Sequence, residues 1–231
     1  MSDLKQANIN CGECGKSFDT EYWASVNVST NPELKEALLK QKLNVVTCPA
    51  CGHGGSLEVD LLYHDMTEKL WVQVVLSGDP GSMIEEQNAA FEQMQGMAGE
   101  EIGNAMNTEY KRRVVPSYSH LFEKIWINDA GLDDRAVELL KLILVAHQMK
   151  AGDPIDGEMS FIGIDHPDDP KKKMLAFKLN DHDAWTCPWG KYEEMKILID
   201  QFIGDEDGTK LQIVDQGFAK RALLFIQKKV K

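Results

Sequence analysis

The chain has 231 residues, of which 43% are hydrophobic and 27% charged, and a formal net charge of −12. That is a globular composition, with room for one large domain or two or three small ones. No apolar run nears the roughly 18 residues of a transmembrane helix, residues 1–6 lack an export signal's basic stretch and apolar core, and no third of the chain is basic; the expectations are therefore the cytoplasm, no membrane association and no grip on a phosphate backbone.

From the N-terminus, Phe18 to Val28, Leu57 to Leu62 and Leu70 to Leu76 read as strands, rich in Val, Trp, Tyr and Leu. Between the first two, Asn31 caps a short helix that continues through Pro32 to Leu39, with Leu34, Leu38 and Leu39 on one face. Ser77-Gly78-Asp79-Pro80-Gly81 breaks the pattern and ends a first domain over residues 1–78. Residues 83–150 read as a helical segment. Phe91, Met94, Ile102 and Met106 recur at helical spacing, while Gly96, Gly99 and Gly103 weaken the helix. Ser119 is expected to cap a helix ending at Gly131, and Asp133 to cap the next. Residues 151–231 read as a small α+β segment: strands Ser160 to Ile164, Met174 to Leu179 and Leu211 to Val214, and helices from Tyr192 to Phe202 and from Gly217 to Gln227, the last capped by Asp215. The fold class expected is α+β: an N-terminal zinc-ribbon-like β domain with an inserted helix, a helical middle and a small C-terminal α+β segment. The charge runs Lys111-Arg112-Arg113 and Lys171-Lys172-Lys173 read as solvated surface.

Cys11-Gly-Glu-Cys14-Gly15 and Cys48-Pro-Ala-Cys51-Gly52 are matched turns. Two residues between cysteines let one tight turn aim both sulfurs at a point, and two such turns supply four thiolates in a tetrahedron. The glycine after each second cysteine permits a positive φ, which brings backbone N–H groups towards the sulfurs. The expected ligands are Cys11, Cys14, Cys48 and Cys51, around one structural zinc (Zn2+) per chain. Iron, two disulfides, or His53 in place of one thiolate are the alternatives. A four-thiolate site keeps no open position for water, so it points to folding rather than chemistry.

These residues resemble the CpXC domain family, named for paired Cys-Pro-x-Cys-like motifs. Cys48-Pro49-Ala50-Cys51-Gly52-His53 carries that motif, and Cys11-Gly12-Glu13-Cys14 departs from it with Gly where Pro is usual. Asn27-Val28, Leu43-Asn44-Val45, Leu61-Leu62-Tyr63-His64-Asp65, Leu70-Trp71 and the stretch from Glu123 to Lys141 add to the likeness, which covers about residues 9–145. The resemblance implies a zinc-ribbon-like domain and no particular reaction.

Other constellations carry rival readings. His64 with Asp65 has the residue types of a general base, or of a turn held by hydrogen bonds. Asp165-His166-Pro167-Asp168-Asp169 and Asp181-His182-Asp183 offer oxygen ligands to a cation, or are acidic surface loops. Cys187 is a packed thiol or a nucleophile. Arg135 is expected to pair with Asp133 or Asp134. No nucleophile elbow, phosphate loop or zinc-protease motif is present in the sequence. The leading expectation is a zinc-stabilised module that binds another protein or itself, with the Met-rich helix as the contact. An enzyme using His64/Asp65 or the acidic histidine loops, and a transcription-related zinc ribbon touching nucleic acid, are the alternatives.

Overall fold

The computed structural model describes residues 1–98, 110–150, 157–179, 183–204 and 210–230. Its class is α+β, as expected, with strands and a short inserted helix first and further strands and helices after.

A long ribbon begins the chain. β1 (Asp3–Asn10) pairs antiparallel with β2 (Ser17–Asn27). Only the end of β2, Ser25 to Asn27, runs parallel to β5 (Leu61–Asp65), so most of the ribbon extends beyond the sheet. β6 (Leu70–Val74) pairs antiparallel with β5, and β7 (Lys111–Val115) parallel with β6, giving the order β1-β2-β5-β6-β7. The β2–β5 crossover holds α1 (Pro32–Leu39) and a hairpin of β3 (Val45–Thr47) and β4 (Gly54–Ser56). Asn31 sits at the N-cap of α1, but its side chain reaches Glu33 instead of capping a backbone N–H.

α2 (Pro80–Ala98) follows the expected breaker, and Asn88 on it exchanges two hydrogen bonds with the backbone of Leu211. The stripe expected along residues 84–108, from Phe91 and Met94 to Met106 with Gly99 and Gly103, lies outside the described residues and side chains. The middle segment is not helical throughout, because β7 interrupts it. α3 (Tyr118–Asp129) is capped by Ser117 rather than Ser119, its Oγ accepting from the His120 backbone N–H. Gly131, at φ 68°, ends it with the left-handed turn that Gly adopts without strain. α4 (Asp134–Lys150) starts as expected on Asp133, whose carboxylate accepts from the Arg135 N–H and is gripped by the Arg135 guanidinium at 2.7 Å.

Beyond it, β8 (Met159–Asp165), β9 (Met174–Leu179) and β10 (Asp183–Pro188) form an antiparallel sheet, followed by α5 (Trp189–Phe202) and α6 (Gln216–Val230). Asp215 caps α6 as expected. Leu211 to Val214 is not a strand: only Gln212 forms a bridge, to Arg113 at the edge of β7.

Two apolar cores result. Val26, Leu38, Tyr63, Val72, Leu121 and Ile125 centre the first, between the five-stranded sheet and α3. Ile127, Leu140, Phe161, Phe177, Ile199 and Phe218 centre the second, between the three-stranded sheet and α4 to α6. α3 therefore serves both. Where the cores meet, charges are buried in a continuous seam. Arg113 clasps Asp134 with two bonds of 2.7 and 2.8 Å, and Lys124 lies 3.1 Å from the same carboxylate. Lys124 continues to Glu138, and Lys141 ties Glu138 to Glu123. Glu123 ends the seam on the Phe161 N–H at 2.6 Å, and Lys124 donates to the Val214 carbonyl. Three cations face three carboxylates, and among the described residues no buried side-chain polar atom lacks a partner, which is what makes such burial tolerable. The Lys111-Arg112-Arg113 run thus corrects the expectation of solvated surface. Arg113 is 1% exposed, and Lys111 reaches the Asn128 side chain and the Leu132 carbonyl.

Candidate metal centre

Both cysteine turns sit at the tips of hairpins. Asn10 pairs with Ser17 at the end of the β1–β2 ribbon, and residues 11–16 close the loop. Thr47 pairs with Gly54 at the end of the β3–β4 hairpin, and residues 48–53 close the second loop. Their backbones repeat each other. Cys11 N–H donates to the Lys16 carbonyl and Gly15 N–H to the Cys11 carbonyl, both at 2.9 Å; Cys48 N–H donates to the His53 carbonyl at 2.8 Å and Gly52 N–H to the Cys48 carbonyl at 2.9 Å. Gly15 and Gly52 have φ of 71° and 75°, left-handed values that an L side chain would strain.

The two tips meet. Single ligand atoms of Cys11, Cys14, Cys48 and Cys51 all lie within 4.8 Å of one another, a group that can hold a metal ion. Cys11 and Cys48 are buried, Cys14 and Cys51 exposed, and all four are free thiols. Across the tips, Cys11 Sγ stands 3.7 Å from Cys51 Sγ, and Cys14 Sγ 3.7 Å from Cys48 Sγ. Metal–sulfur bonds of about 2.3 Å in a tetrahedron put sulfurs about 3.8 Å apart, so the donor set has the size such an ion needs. The His53 imidazole is not part of the cluster, although its backbone carbonyl closes the second turn.

The turns also prepare the charges. The N–H of Cys14, then that of Glu13, pulls the Cys11 thiol below its usual pKa. The Ala50 N–H draws Cys48 down to about 7. At Cys51 the His53 N–H lowers the pKa, but burial and the three neighbouring sulfurs outweigh it and push it up to about 12. Four thiolates at one point would repel one another, and a central cation would relieve that repulsion.

One residue outside the knuckles brings the tips into register. Asn44 occupies a left-handed conformation at φ 56°, just before β3. Its side-chain amide accepts from the Trp23 N–H at 2.7 Å and donates to the Trp23 carbonyl at 3.0 Å. It thereby acts as a strand partner for β2 upstream of its pairing with β5. Its own carbonyl accepts from the Leu57 N–H, at the far side of the β3–β4 hairpin.

A family model described as CpXC protein matches residues 9–141. The chain belongs to the CpXC family. No curated protein and no solved structure gives a significant match. The CpXC match takes in both knuckles, Asn44, strands β2, β5, β6 and β7 of the five-stranded sheet and the α3–α4 pair up to Lys141, while most of β1 precedes it.

The remaining candidates in this CpXC chain are dispersed. His64 and Asp65 are neighbours on β5 and project to opposite faces. His64 is half-buried with Nε2 3.3 Å from the Tyr110 hydroxyl, and burial pulls its pKa down. Asp65 is buried and accepts from the N–H groups of Thr67 and Glu68, so it holds the β5–β6 turn. Asp165, His166 and Asp168 are exposed at the end of β8, while Asp181 and His182 lie outside the described residues. Cys187 is buried on β10 within the second core, where burial raises its thiol pKa. Among the described residues, the metal-ligating group with gathered ligand atoms is the cysteine quartet.

One hydrogen-bonded chain was not legible in the sequence. Ser117 Oγ lies 2.7 Å from His120 Nδ1, and His120 Nε2 lies 2.8 Å from Glu158. Its order is that of a nucleophile, base and acid. Ser117 Oγ, however, is engaged as the N-cap of α3 and by Ser119, and Glu158 is largely exposed. The chain therefore reads as a helix start tied to the base of β8.

Proposed function

We propose that this CpXC protein is a zinc-stabilised interaction module: Cys11, Cys14, Cys48 and Cys51 ligate one structural Zn2+, and the ion locks two hairpins into a rigid projecting ribbon. The observation that carries the reading is the set of four sulfurs within 4.8 Å of one another, two cross-tip pairs at 3.7 Å, presented by two turns with the same backbone bonds. Such a set leaves no position for water or substrate, so its contribution is to stability. A two-stranded ribbon is marginal on its own, and joining its tip to a second hairpin compensates for the core it lacks. An outer strand supports the interaction role: among the described residues β1 has one edge unpaired, a feature suited to adding a further strand.

Elemental analysis of purified protein should find close to one zinc per chain, and Cys48→Ser should abolish it. Iron in place of zinc, or metal-free protein with two disulfides, would overturn the assignment. Catalytic use of His64/Asp65 is disfavoured by their opposed faces, and nucleic-acid binding by the burial of Arg113.

A further inference from the structure

Two helices of the second core present matching faces to solvent. On α5, Ile197 is 62% exposed although large and apolar. Glu193 and Glu194 stand four and three residues before it and Asp200 three after, so all three carboxylates border it on one helix face. On α6, Leu224 and Phe225 are 59% and 44% exposed. Lys220 and Arg221 stand four and three residues before Leu224 and Lys228 four after, so the same frame is built there with the opposite charge. α6 contains no acidic residue, in a chain whose net charge is −12.

The local pairing of these charges leaves them available. Glu194 bonds Lys191, Asp200 bonds Lys196, and Glu193 accepts from Trp189 Nε1, all exposed contacts within α5. Exposed pairs of this kind are weak and readily exchanged. Among the described residues, Lys220, Arg221 and Lys228 have no carboxylate in ion-pairing range, and Lys229 lies over the Phe225 ring at 5.5 Å.

We propose that α5 of one copy of this chain docks on α6 of a second copy, and reciprocally, in a two-fold dimer. Ile197 packs onto Leu224 and Phe225, while Glu193, Glu194 and Asp200 meet Lys220, Arg221 and Lys228. The occupant is a second copy because one chain carries both halves of the complement, and a two-fold axis uses each half twice, doubling the buried area. An anionic membrane is the poorer fit. The main apolar face of α6, with Phe218, Ala222 and Ile226, is already spent inside the second core, and the remainder of the chain is strongly acidic. The proposal goes beyond the interaction-module reading: it uses α5 and α6 rather than the edge of β1, and it does not rest on the zinc.

Sedimentation velocity on zinc-loaded full-length protein should show a dimer at micromolar concentration that weakens between 50 and 500 mM salt. The double variant Leu224→Glu/Phe225→Glu should run as a monomer with unchanged zinc content and melting temperature, because both side chains are exposed. Glu193→Lys/Glu194→Lys should also be monomeric, as should Lys220→Glu/Lys228→Glu, and an equimolar mixture of these two charge-reversed proteins should recover a heterodimer. A monomeric wild type, or a dimer that all these variants retain, overturns the proposal. A monomer that cosediments with vesicles containing phosphatidylglycerol, but not with phosphatidylcholine alone, overturns it and assigns α6 to a lipid surface. Zinc content, read on the same samples, reports separately on the metal assignment.

Discussion

Arg113 is the residue whose surroundings most change its meaning. In sequence it belongs to a basic run; in space it is a bidentate partner of Asp134. Burial alone would raise the Asp134 pKa, but Arg113 and then Lys124 hold it well below the usual carboxylate range. Removing one member of such a pair strands the other, which costs about 3–5 kcal/mol. Arg113→Met should therefore lower the urea-unfolding free energy by about 3 kcal/mol, with Lys124 keeping the loss near the lower bound, and Arg113→Met/Asp134→Leu should recover a large part of it. Equal loss in both would contradict the pairing argument. The His120–Glu158 pair is a smaller test with a definite sign. Its hydrogen bond to Glu158 raises the His120 pKa above 6.5, and the same contact lowers that of Glu158 below 4.5. The His120 contribution is complete below pH 6.5 and disappears as pH rises through the raised value. The Glu158 contribution is complete above pH 4.5 and is lost as acid protonates it. Because Glu158 is 61% exposed, screening limits the effect to about 0.5 kcal/mol. Glu158→Gln should cost that much stability at pH 5.5 and nothing at pH 9; a loss that grows with pH would contradict it.

At the scale of elements, the ribbon depends on how Asn44 replaces a strand. Asn44→Ala removes both bonds to Trp23 and forces a Cβ residue with no compensating side chain to hold φ 56°. Asn44→Gly removes the bonds but relieves the conformation. Each neutral hydrogen bond contributes about 1 kcal/mol and the left-handed strain about 1 kcal/mol more, so glycine should cost about 2 and alanine about 3 kcal/mol. Zinc titration with a competing chelator should show weaker binding in both, in that order; unchanged affinity would mean that the tips align without Asn44. The same region shows what a sequence discloses. The knuckles, α1, β6 and the Gly131–Asp133 junction are written locally, in turn residues, caps and apolar patterning, whereas the strand expected over Leu57 to Leu62 is displaced, β5 running instead from Leu61 to Asp65. β1 is not written locally, because both faces of most of the ribbon are solvated and the apolar period that marks a strand never develops. β7 was hidden for the opposite reason: Lys111 to Arg113 reads as surface until Asp134, Asn128 and Leu132, which are distant in sequence, supply partners. Leu211 to Val214 has strand composition but lies against only the edge of β7, and forms one bridge. The cysteine cluster was legible because its spacing is a property of the turns themselves, whereas the Asn44 contact depends on the path of a crossover.

Across the whole molecule, the two cores and the proposed metal site set the order in which the chain comes apart. Were the boundary expected at residue 78 also a boundary of cooperative unfolding, metal loss would unfold residues 1–78 as a unit. The packing argues for a smaller unit. β5 and β6 are held between β2 and β7 and packed against Leu121 and Ile125 of α3, which do not involve the cysteines. The parts that rely on the sulfur cluster are the β1–β2 ribbon beyond Ser25 and the β3–β4 hairpin, whose strands are mostly exposed. Stripping zinc with a chelator, or introducing Cys48→Ser, should therefore expose residues 1–24 and 44–57 to protease while Leu61–Val74, β7 and α3 stay protected. Hydrogen exchange followed by mass spectrometry should give the same pattern: rapid exchange in the two hairpins and slow exchange in the sheet centre and second core. The seam of Arg113, Asp134, Lys124, Glu138, Lys141 and Glu123 gives the reason that protection should extend past residue 78, since it fastens β7 and α3 to α4 through bonds independent of metal. Adding Arg113→Met to Cys48→Ser should carry the unfolding into the first sheet. Cleavage throughout residues 1–78 in Cys48→Ser alone would show instead that the ion, rather than the shared core, holds the sheet together.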